Sequence, residues 1–413
     1  MKVAVVGAGI SGMLVAYLLH EDVDLVVFEA NDYLGGHTHT VSVELDGKAY
    51  ALDTGFIVHN DRTYPAFIRL MERLGVATEP SKMSFGVKCE KTGLEYRASS
   101  LNTLFAQRRN LLRPAFYRML RDAMRFNRDA PKLLDGGSEE TLGEYLEREG
   151  FGPEFREQYL VPMASSIWSA DPARLASFPA RTLVQFFHNH GFLTWNRHPE
   201  WRVVRGGSQR YVEALTRPFR DRIQLETPVV AVRRHADGVE LTTRDGTRRH
   251  VDRVVLATHS DQALALLKDP SPDEKSILGA LPYQENDGVL HTDRSLLPRN
   301  RRAWASWNYH VLKELRGRVV VTYNLNMLQN LSAPTTFCVT LNRSDAIDPR
   351  SILARMTYHH PVIDRGALAA KREHARINGV NRTYYCGAYW GYGFHEDGVQ
   401  SALAVATHFG KRL

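Results

Sequence analysis

The chain contains 413 residues, of which 43% are apolar and 24% are charged, and it carries a formal net charge of +7. That length is more than one hydrophobic core ordinarily organises, so two domains are expected. The three cysteines are far apart and form no Cys-x-x-Cys pair. This spacing argues against a disulfide framework and a dithiol flavoenzyme, and it favours a cytoplasmic setting. No stretch approaches the ~18 uninterrupted apolar residues that a membrane-spanning helix needs.

The first thirty residues have the pattern of a strand, a helix and a second strand. Residues 2–6 form a short β-branched run, residues 10–19 predict a helix with small residues at its start, and residues 24–29 predict a second buried strand. The turn after the first strand carries three glycines. Gly7 allows a tight turn, Gly9 lets the backbone approach a pyrophosphate, and Gly12 permits close packing of the helix on the sheet. Together with the helix N-terminus, this turn predicts a dinucleotide site.

A carboxylate and a second glycine pair indicate which dinucleotide is bound. Glu29 ends the second strand, where it can accept hydrogen bonds from a ribose. The pair Gly35-Gly36, followed by His37, stands at a distance from Glu29 that is typical of flavoproteins, and residues 53–57 predict a strand and turn along a flavin ring. We therefore expect noncovalently bound FAD. The N-terminal residues expected to contact it are Gly7, Gly9, Ile10, Ser11, Gly12, Glu29, Ala30, Gly35, Gly36, His37, Thr54, Gly55, Phe56 and Ile57.

Residues 107–132 are strongly basic. Eight arginine or lysine side chains stand there against only Asp122 and Asp129, with apolar residues interleaved at helical spacing. Two interpretations remain open. The segment is a helix whose apolar stripe packs inward beneath a solvated basic face, or it lies on an anionic membrane surface as a peripheral contact. Nucleic acid is not an expected partner.

The remaining elements predict two interwoven domains. Short strands at 84–90 and 93–99 precede helical segments to about residue 159, and a helix at 209–219 is followed by strands at 223–235, 238–243 and 250–258. Residues 270–377 mix strands and loops, and a strand, a loop and a helix close the chain. We assign residues 1–82, 201–269 and 378–413 to an FAD-binding domain, and residues 83–200 and 270–377 to a substrate-binding domain. The predicted fold class is α/β, a Rossmann-type FAD-binding domain with an interwoven α+β substrate-binding domain.

Several longer stretches carry a family resemblance. They include DTGFIVHN (53–60), VPMASSIWS (161–169), WASWNY (304–309) and GAYWGYGFHEDG (387–398). With the glycine motifs they resemble the superfamily of FAD-dependent amine oxidases, phytoene desaturases and protoporphyrinogen oxidases. Within it the chain is most similar to bacterial proteins usually described only as NAD/FAD-binding, which are encoded beside enzymes similar to cyclopropane-fatty-acid synthases. The resemblance implies an amine-oxidase-like two-domain fold over the whole chain.

The resemblance also implies further cofactor contacts. Val229 would meet the adenine through its backbone, and Gly387 would lie beside the cofactor. The closing helix would begin near Gly398 and Val399 and direct its N–H groups at the flavin N1–C2=O edge, where charge develops on reduction. Members of the superfamily often have an acidic residue after the glycine that corresponds to Gly387, and here Ala388 stands in its place. The contact to the ribityl chain is therefore left unassigned.

Two histidines are the candidates for catalysis. His395 precedes Glu396-Asp397-Gly398, where an amine oxidase of this superfamily would have a cage aromatic, and His291 lies in the strand where such an enzyme usually has a lysine. Either imidazole could act on a proton, or satisfy backbone groups only. The aromatic residues of the loop 389–394 line an apolar substrate channel or pack a domain interface. Three histidine pairs lack supporting carboxylates or cysteines, so no metal is expected.

The favoured function is an FAD-dependent dehydrogenase or desaturase. It would move a hydride from carbon to flavin N5 on an apolar substrate such as a fatty acyl or methyl-branched acyl lipid, free or in a phospholipid. The electron acceptor is left open. Alternatives are a flavin amine oxidase, a lipid-binding escort protein without redox activity, and a non-redox isomerase similar to flavin-dependent sugar mutases. A second nucleotide-binding turn is absent, which disfavours enzymes with two Rossmann units.

Overall fold

The computed structural model describes residues 1–137, 139–169, 171–194, 198–314 and 316–413. In these residues the strands are β1 Lys2–Val6, β2 Asp24–Phe28, β3 Thr40–Leu45, β4 Lys48–Asp53, β5 His59–Asn60, β6 Thr78–Pro80, β7 Phe85–Cys89, β8 Glu95–Arg97, β9 Trp201–Val204, β10 Ile223–Gln224, β11 Val229–Arg234, β12 Val239–Thr243, β13 Arg248–Val251, β14 Arg253–Leu256, β15 Tyr283–His291, β16 Trp307–Val311, β17 Val321–Asn324, β18 Cys338–Leu341, β19 Ile352–Pro361 and β20 Thr383–Tyr385. The α-helices are α1 Ile10–Leu19, α2 Pro65–Leu74, α3 Leu101–Leu104, α4 Pro114–Asp129, α5 Leu142–Arg148, α6 Pro153–Phe155, α7 Val161–Trp168, α8 Ala180–Asn189, α9 Gln209–Thr216, α10 Ser260–Leu266, α11 Pro272–Gly279, α12 Leu325–Leu328, α13 Arg365–Arg372, α14 His374–Ile377 and α15 His395–Thr407.

A five-stranded parallel sheet organises the first unit, in the order β10-β2-β1-β14-β20. Its central strand has four of five residues buried, which suits an apolar strand covered on both faces. Helix α1 is buried over nearly its whole length between the sheet and helices α9 and α15. The sheet draws its strands from three separated parts of the chain, because β14 and β20 complete it long after β1 and β2.

A second, seven-stranded sheet has the order β19-β15-β18-β17-β16-β7-β8, and it is mostly antiparallel. Helices α4 to α8 pack beside it around a separate core of aromatic and aliphatic side chains. Helix α4 begins with Pro114, a residue suited to the first helical turn. Its buried face carries Phe116, Met119, Ala123 and Phe126. This arrangement of a parallel sheet with a largely antiparallel one confirms the predicted two-unit α/β class, while the exact domain boundaries remain our proposal.

Two predicted helices have different ends in the structure. Helix α9 ends at Thr216 and a 3-10 turn continues to Arg222, because Pro218 lacks an N–H for a helical hydrogen bond. The closing helix α15 begins at His395, three residues before the predicted start. There the carboxylate of Asp397 accepts hydrogen bonds from the backbone N–H groups of Tyr392 and Phe394, which fixes the entry to the helix. Within the described ranges, no helix is both long and apolar enough to cross a bilayer.

Candidate functional site

A cavity of about 1290 Å³ runs from the carboxyl ends of the parallel strands into the space between the two units. Ligand sites of open parallel sheets lie at this edge. One end is lined by the glycine-rich turn after β1, and the other reaches side chains of α7, α8 and the seven-stranded sheet. The cavity therefore connects the glycine-rich turn with the helical layer and the seven-stranded sheet.

The glycine-rich turn has the geometry that a pyrophosphate needs. A Cβ atom added at Gly9 would meet nothing within 4 Å, so this glycine opens onto the cavity. A Cβ at Gly12 would lie 2.0 Å from the carbonyl oxygen of Gly7, which leaves room only for hydrogen. Gly12 is absent from the lining and serves the packing of α1 on the sheet. Ile10 and Ser11 line the cavity at the start of α1, where helix N–H groups are free.

Glu29 is held at the end of β2 with both carboxylate oxygens occupied. Its Oε2 accepts from the N–H of Ala8 at 2.7 Å, and its Oε1 accepts from the backbone and side-chain nitrogens of Asn31 at 2.9 Å each. Oε2 keeps a further lone pair for a hydroxyl group, whereas both lone pairs of Oε1 are used by Asn31. Gly35 contacts the glycine-rich turn, because its N–H donates to the carbonyl oxygen of Ala8 at 2.9 Å. Gly36 lines the cavity beside it.

The residue that the resemblance places beside the adenine lies at the cavity. Val229, Thr227 and Pro228 line it, next to Ala30. The segment after β4, which the sequence predicts to lie along a flavin ring, also lines the cavity, through Thr54, Gly55, Phe56 and Ile57. Gly55 admits no side chain, because a Cβ there would lie 2.1 Å from the carbonyl oxygen of His37.

Four histidines line the middle of the cavity. His37 has its ring centre 5.5 Å from that of His360 and 5.9 Å from that of His259, and His359 lies beyond them. Burial lowers the pKa of His37, and burial together with the neighbouring imidazoles lowers the pKa of His259 and of His360 to about 3. The rings of His37, His259 and His360 are therefore neutral at physiological pH.

His395 is buried at the first residue of α15 and lines the cavity. Its ring stacks on Phe56 with a centroid distance of 3.6 Å and an interplanar angle of 7°. Its Nε2 lies 2.9 Å from Oγ1 of Thr38 and 2.8 Å from the hydroxyl of Tyr211. Burial, with the nearby rings of His37 and His59, holds the pKa of His395 well below its usual value. The imidazole is thus neutral and fixed in place.

The structure does not bring His291 to the cavity. Its Nε2 is 2.7 Å from Oγ1 of Thr340, and its Nδ1 accepts from the N–H of Asp293 at 3.1 Å. Both ring nitrogens are engaged inside the seven-stranded sheet, and the residue is absent from the cavity lining. His291 was a candidate because of its place in β15, but sequence position alone did not reveal that its side chain points away from the site. It is not retained as a catalytic candidate.

The three C-terminal cofactor candidates divide between lining and packing. Gly387 lines the cavity. Gly398 packs against the start of α1, where its carbonyl oxygen accepts from Oγ of Ser11 at 2.9 Å. Val399 is fully buried in the core between α1 and α15. The N-terminal end of α15 still faces the cavity, but it does so through His395 and not through these two residues.

The aromatic loop before α15 contributes to both of its predicted roles. Tyr389, Tyr392 and Phe394 line the cavity, whereas Trp390 stacks on His374 at 3.9 Å. The carbonyl of Tyr392 accepts from the indole N–H of Trp168, which ties the loop to the helical layer. The loop therefore forms a wall of the cavity and part of the contact between the two units.

Sequence reasoning missed several lining residues. Tyr358 lines the cavity and its hydroxyl lies 2.8 Å from Oγ1 of Thr54, and Tyr283 stacks on His259 at 4.4 Å. Thr38 and Tyr211 hold the ring of His395 from residues distant in sequence. The pair His359-His360 carried a signal, but it was weighed only as a metal ligand pair. Nothing in the sequence around Tyr211 distinguished it from an ordinary helical aromatic.

The sequence matches the family model described as flavin containing amine oxidoreductase over residues 10–347. The chain belongs to this family. Its members are FAD-dependent oxidoreductases, and the open face of Gly9, the free N-terminus of α1 and the carboxylate of Glu29 fit FAD at this site. The search of curated protein sequences returns no significant match.

Solved structures with the same fold include enzymes with different substrates. A cofactor-binding variant of putrescine oxidase is 16% identical, with a TM-score of 0.71 and 98% of each chain covered. Cyclohexylamine oxidase from Brevibacterium oxydans is 18% identical, with a TM-score of 0.70 and 99% of each chain covered. A fatty acid isomerase from P. acnes that produces CLA is 16% identical, with a TM-score of 0.67 and 98% of each chain covered. At these identities the likeness concerns the fold.

Proposed function

We propose that this flavoenzyme oxidises an apolar substrate, a fatty acyl or methyl-branched acyl chain, by dehydrogenation between two carbons. The observation that carries the proposal is the charge of the cavity lining. Among the described residues that line it there is no lysine, arginine or aspartate, and the only carboxylates are Glu29 and Glu200. Glu29 belongs to the ribose end, and the side chain of Glu200 is half exposed and paired with Arg202. A buried ammonium group would have no counter-ion here.

The arm of the cavity beyond the flavin end is lined mainly by apolar and aromatic side chains, with Ser84, Asn127 and Ser166 between them. It is lined by residues from the helical layer and the seven-stranded sheet, among them Phe85, Tyr159, Met163, Ile167, Phe186, Trp307 and Tyr323. Transfer of an acyl chain from water to such a lining is favourable by about 0.8 kcal/mol for each CH₂ group buried. An extended hydrocarbon thus gains binding free energy along the arm without any charged contact.

The side chains of the site position the substrate and exclude water. When bound, FAD would supply at its N5 the acceptor of a hydride, which carries both electrons of the oxidation. The stacked rings of His395 and Phe56 form a fixed wall at the flavin end, and the hydroxyls of Thr38 and Tyr211 hold the imidazole there. Burial holds the pKa of His395 well below its usual value, so the neutral imidazole is a weak proton acceptor. We therefore assign it the role of orienting the substrate and not that of a general base.

Oxidation of an amine is the competing function. It is supported by the family and by the fold shared with putrescine oxidase and cyclohexylamine oxidase. Aromatic walls at Tyr392 and Phe394 could accept a neutral amine. The missing counter-ion weighs against an amine that arrives protonated, and the length of the apolar arm weighs against a small one.

The test is anaerobic reduction of the bound flavin. Purified protein is mixed with long-chain fatty acids, phospholipids carrying saturated or methyl-branched acyl chains, putrescine or cyclohexylamine, and the flavin absorbance is followed. We expect bleaching by an acyl substrate and a product lighter by two hydrogens in mass spectrometry. Bleaching by the amines alone contradicts the proposal. A product of unchanged mass with a shifted double bond makes the protein an isomerase instead.

A variant in the apolar arm tests the same assignment. Met163→Trp places a large ring in the arm, away from the turn that holds the dinucleotide. We expect turnover of the acyl substrate to fall by about tenfold or more, in line with the loss of several buried CH₂ contacts, with flavin content unchanged. Leu353→Trp at the exposed surface is the matched control and should keep full turnover. Equal turnover in both variants would place the substrate elsewhere.

A further inference from the structure

Large apolar side chains are exposed together on one surface of the helical layer. Nine large apolar side chains are exposed in the described part of the chain, and five of them fall between residues 101 and 124. Leu112 is 88% exposed and Leu101 is 76% exposed. Single exposed apolar residues need no explanation, but a cluster of this kind marks a contact surface. We call it the basic-apolar face, made of Leu101, Leu111, Leu112, Tyr117, Met124, Arg108, Arg109, Arg121, Arg128 and Lys132.

Hydrogen bonds join the parts of the basic-apolar face into one surface. The guanidinium of Arg108 donates to the carbonyl of Phe105 at 2.8 Å and thereby ties the 3-10 turn at residues 108–112 to the end of α3. The hydroxyl of Tyr117 donates to the carbonyl of Leu111 at 3.0 Å and ties α4 to the same turn. On α4 itself, Tyr117, Arg121, Met124 and Arg128 recur at helical spacing on the exposed side. The opposite side is buried in the core.

The charge of the basic-apolar face is mostly left for an outside partner. Among the described residues, Arg108 and Arg109 donate only to backbone carbonyls and the amide of Asn102, and therefore keep their charge. Asp129 is shared by Arg128 and Lys132. Asp122 is buried, accepts from the N–H of Gly152 and pairs with Arg121 at 3.4 Å, so two carboxylates stand against the five cationic side chains of the face. Arginines around exposed leucines and a tyrosine complement a surface that is anionic outside and apolar beneath.

An opening of the cavity lies beside the basic-apolar face. Ala98 and Ser99 line the cavity and are exposed to solvent, and they stand directly before α3. Asn127 lines the cavity from α4 itself. The surface with the exposed leucines and the apolar arm therefore meet at the same rim.

We propose that the basic-apolar face docks the enzyme on an anionic phospholipid membrane. The exposed leucines and Met124 enter the boundary between headgroups and acyl chains, while the arginines contact lipid phosphates. In this pose the opening at Ala98 and Ser99 faces the lipid. Docking does not depend on which substrate is oxidised, so vesicle binding and flavin reduction can fail independently of each other.

The test is flotation of the flavin-loaded enzyme with lipid vesicles. One set contains phosphatidylcholine and phosphatidylglycerol in a three-to-one ratio, and the other contains phosphatidylcholine alone. We expect the protein to float with the anionic vesicles and to bind the neutral ones at least about tenfold more weakly, with loss of binding at high salt. Absence of flotation with the anionic vesicles overturns the proposal.

Two pairs of variants locate the contact. Leu112→Ser with Met124→Ser removes exposed apolar groups, and Arg121→Gln with Arg128→Gln removes two charges. Each pair should weaken binding by about tenfold or more, because each removes two contacts with the lipid at once. The matched controls are Val230→Ser with Leu353→Ser and Arg248→Gln with Arg249→Gln, which are exposed elsewhere. These should bind within about twofold of the unchanged protein, by the same estimate.

Unchanged flavin content and circular dichroism establish that all four variants fold. Equal loss of binding in the variants of the basic-apolar face and in the control variants would show that vesicle binding depends on the overall charge of the protein and not on this face. That result would overturn the proposal. The same protein is also mixed with duplex DNA. If DNA displaces the protein from vesicles and depends on Arg121 and Arg128 but not on Leu112 and Met124, the face is a nucleic-acid surface and the membrane proposal is wrong.

Discussion

Gly9 and Gly12 belong to one turn, yet an added side chain would meet different surroundings at each. At Gly9 it would project into the open cavity, and at Gly12 it would collide with the carbonyl of Gly7. The motif predicted that Gly9 admits a pyrophosphate and that Gly12 admits the helix, but Gly12 was also counted among the expected cofactor contacts. The structure separates a glycine that makes room for the cofactor from one that makes room for a helix.

This difference predicts separable variants. Gly9→Leu should fold as the unchanged protein does but lose its flavin, because the side chain would occupy the phosphate position. Gly12→Leu should lower the free energy of unfolding by several kcal/mol, since overpacking at a helix–sheet contact costs about 1–3 kcal/mol or more. The checks are flavin absorbance after gel filtration and urea unfolding. Gly136→Leu, with open space around its added Cβ, is the control and should keep both properties. Full flavin in the Gly9 variant would contradict the assigned turn.

The surroundings of His395 were beyond the reach of sequence. The sequence indicated His395 because this residue directly follows the aromatic-glycine loop, within the same short motif. Its partners Thr38 and Tyr211 lie 357 and 184 residues away. Local patterns carry no signal of such contacts, so the lowered pKa of the imidazole follows only from the packed structure.

Among the elements, an ion pair joins three separated parts of the chain. Arg234 of β11 donates two hydrogen bonds to Glu274 of α11, at 2.8 and 2.9 Å, and the hydroxyl of Tyr385 in β20 donates to the same carboxylate at 2.6 Å. Both charged side chains are almost completely buried. Burial raises the pKa of Glu274, but the hydrogen bonds from Arg234 and Tyr385 outweigh it and leave the pKa below its usual value.

Removing one partner of this ion pair should lower the free energy of unfolding more than replacing both partners by apolar residues. Arg234→Met leaves a buried carboxylate without its cation, and we expect the free energy of unfolding to fall by about 3–5 kcal/mol. Arg234→Met combined with Glu274→Met removes both charges and should recover most of that loss. Urea unfolding of the two single variants and the double variant gives the coupling free energy. A double variant as unstable as the sum of the singles would show that the pair acts only through packing.

Element boundaries show a similar limit. The starts of α1 and the strands β1 and β2 followed from local patterns, because glycine turns and β-branched runs act over a few residues. The start of α15 was expected near Gly398 but lies at His395, since the side chain of Asp397 turns back to cap the preceding loop. A cap that depends on the path of an irregular loop leaves no periodic signal.

In the whole molecule, buried histidines dominate the response to acid. Burial is the first cause that lowers the pKa of six of them to about 3 or 4, namely His59, His190, His259, His291, His360 and His374. Burial raises the pKa of Asp53 and of Asp397 to about 6, which acts in the opposite direction. The histidines outnumber the carboxyl groups, so their effect decides the sign.

Stability should therefore fall as the pH is lowered from about 6.5 towards 4. In this window the unfolded chain binds protons on its histidines near their ordinary pKa of about 6.5, while the folded protein leaves them neutral. Each such site contributes a slope of about 1.4 kcal/mol per pH unit, and the two carboxyl groups offset part of the total. Urea unfolding at pH 7, 6 and 5 measures the slope. A free energy of unfolding that is flat or rises towards pH 5 would contradict the burial of these rings.

Two features of this protein were determined by the sequence itself. The cofactor followed from Gly7, Gly9, Glu29 and Gly35-Gly36, because phosphate and ribose contacts need fixed backbone geometry within about thirty residues. The α/β class followed from the same periodic patterns. The tertiary structure decided which candidates meet. It placed His395 at the cavity and His291 inside a sheet, and among the described residues of the lining it brought together no lysine, arginine or aspartate. These outcomes depend on contacts between distant parts of the chain, which only packing of the two units brings together.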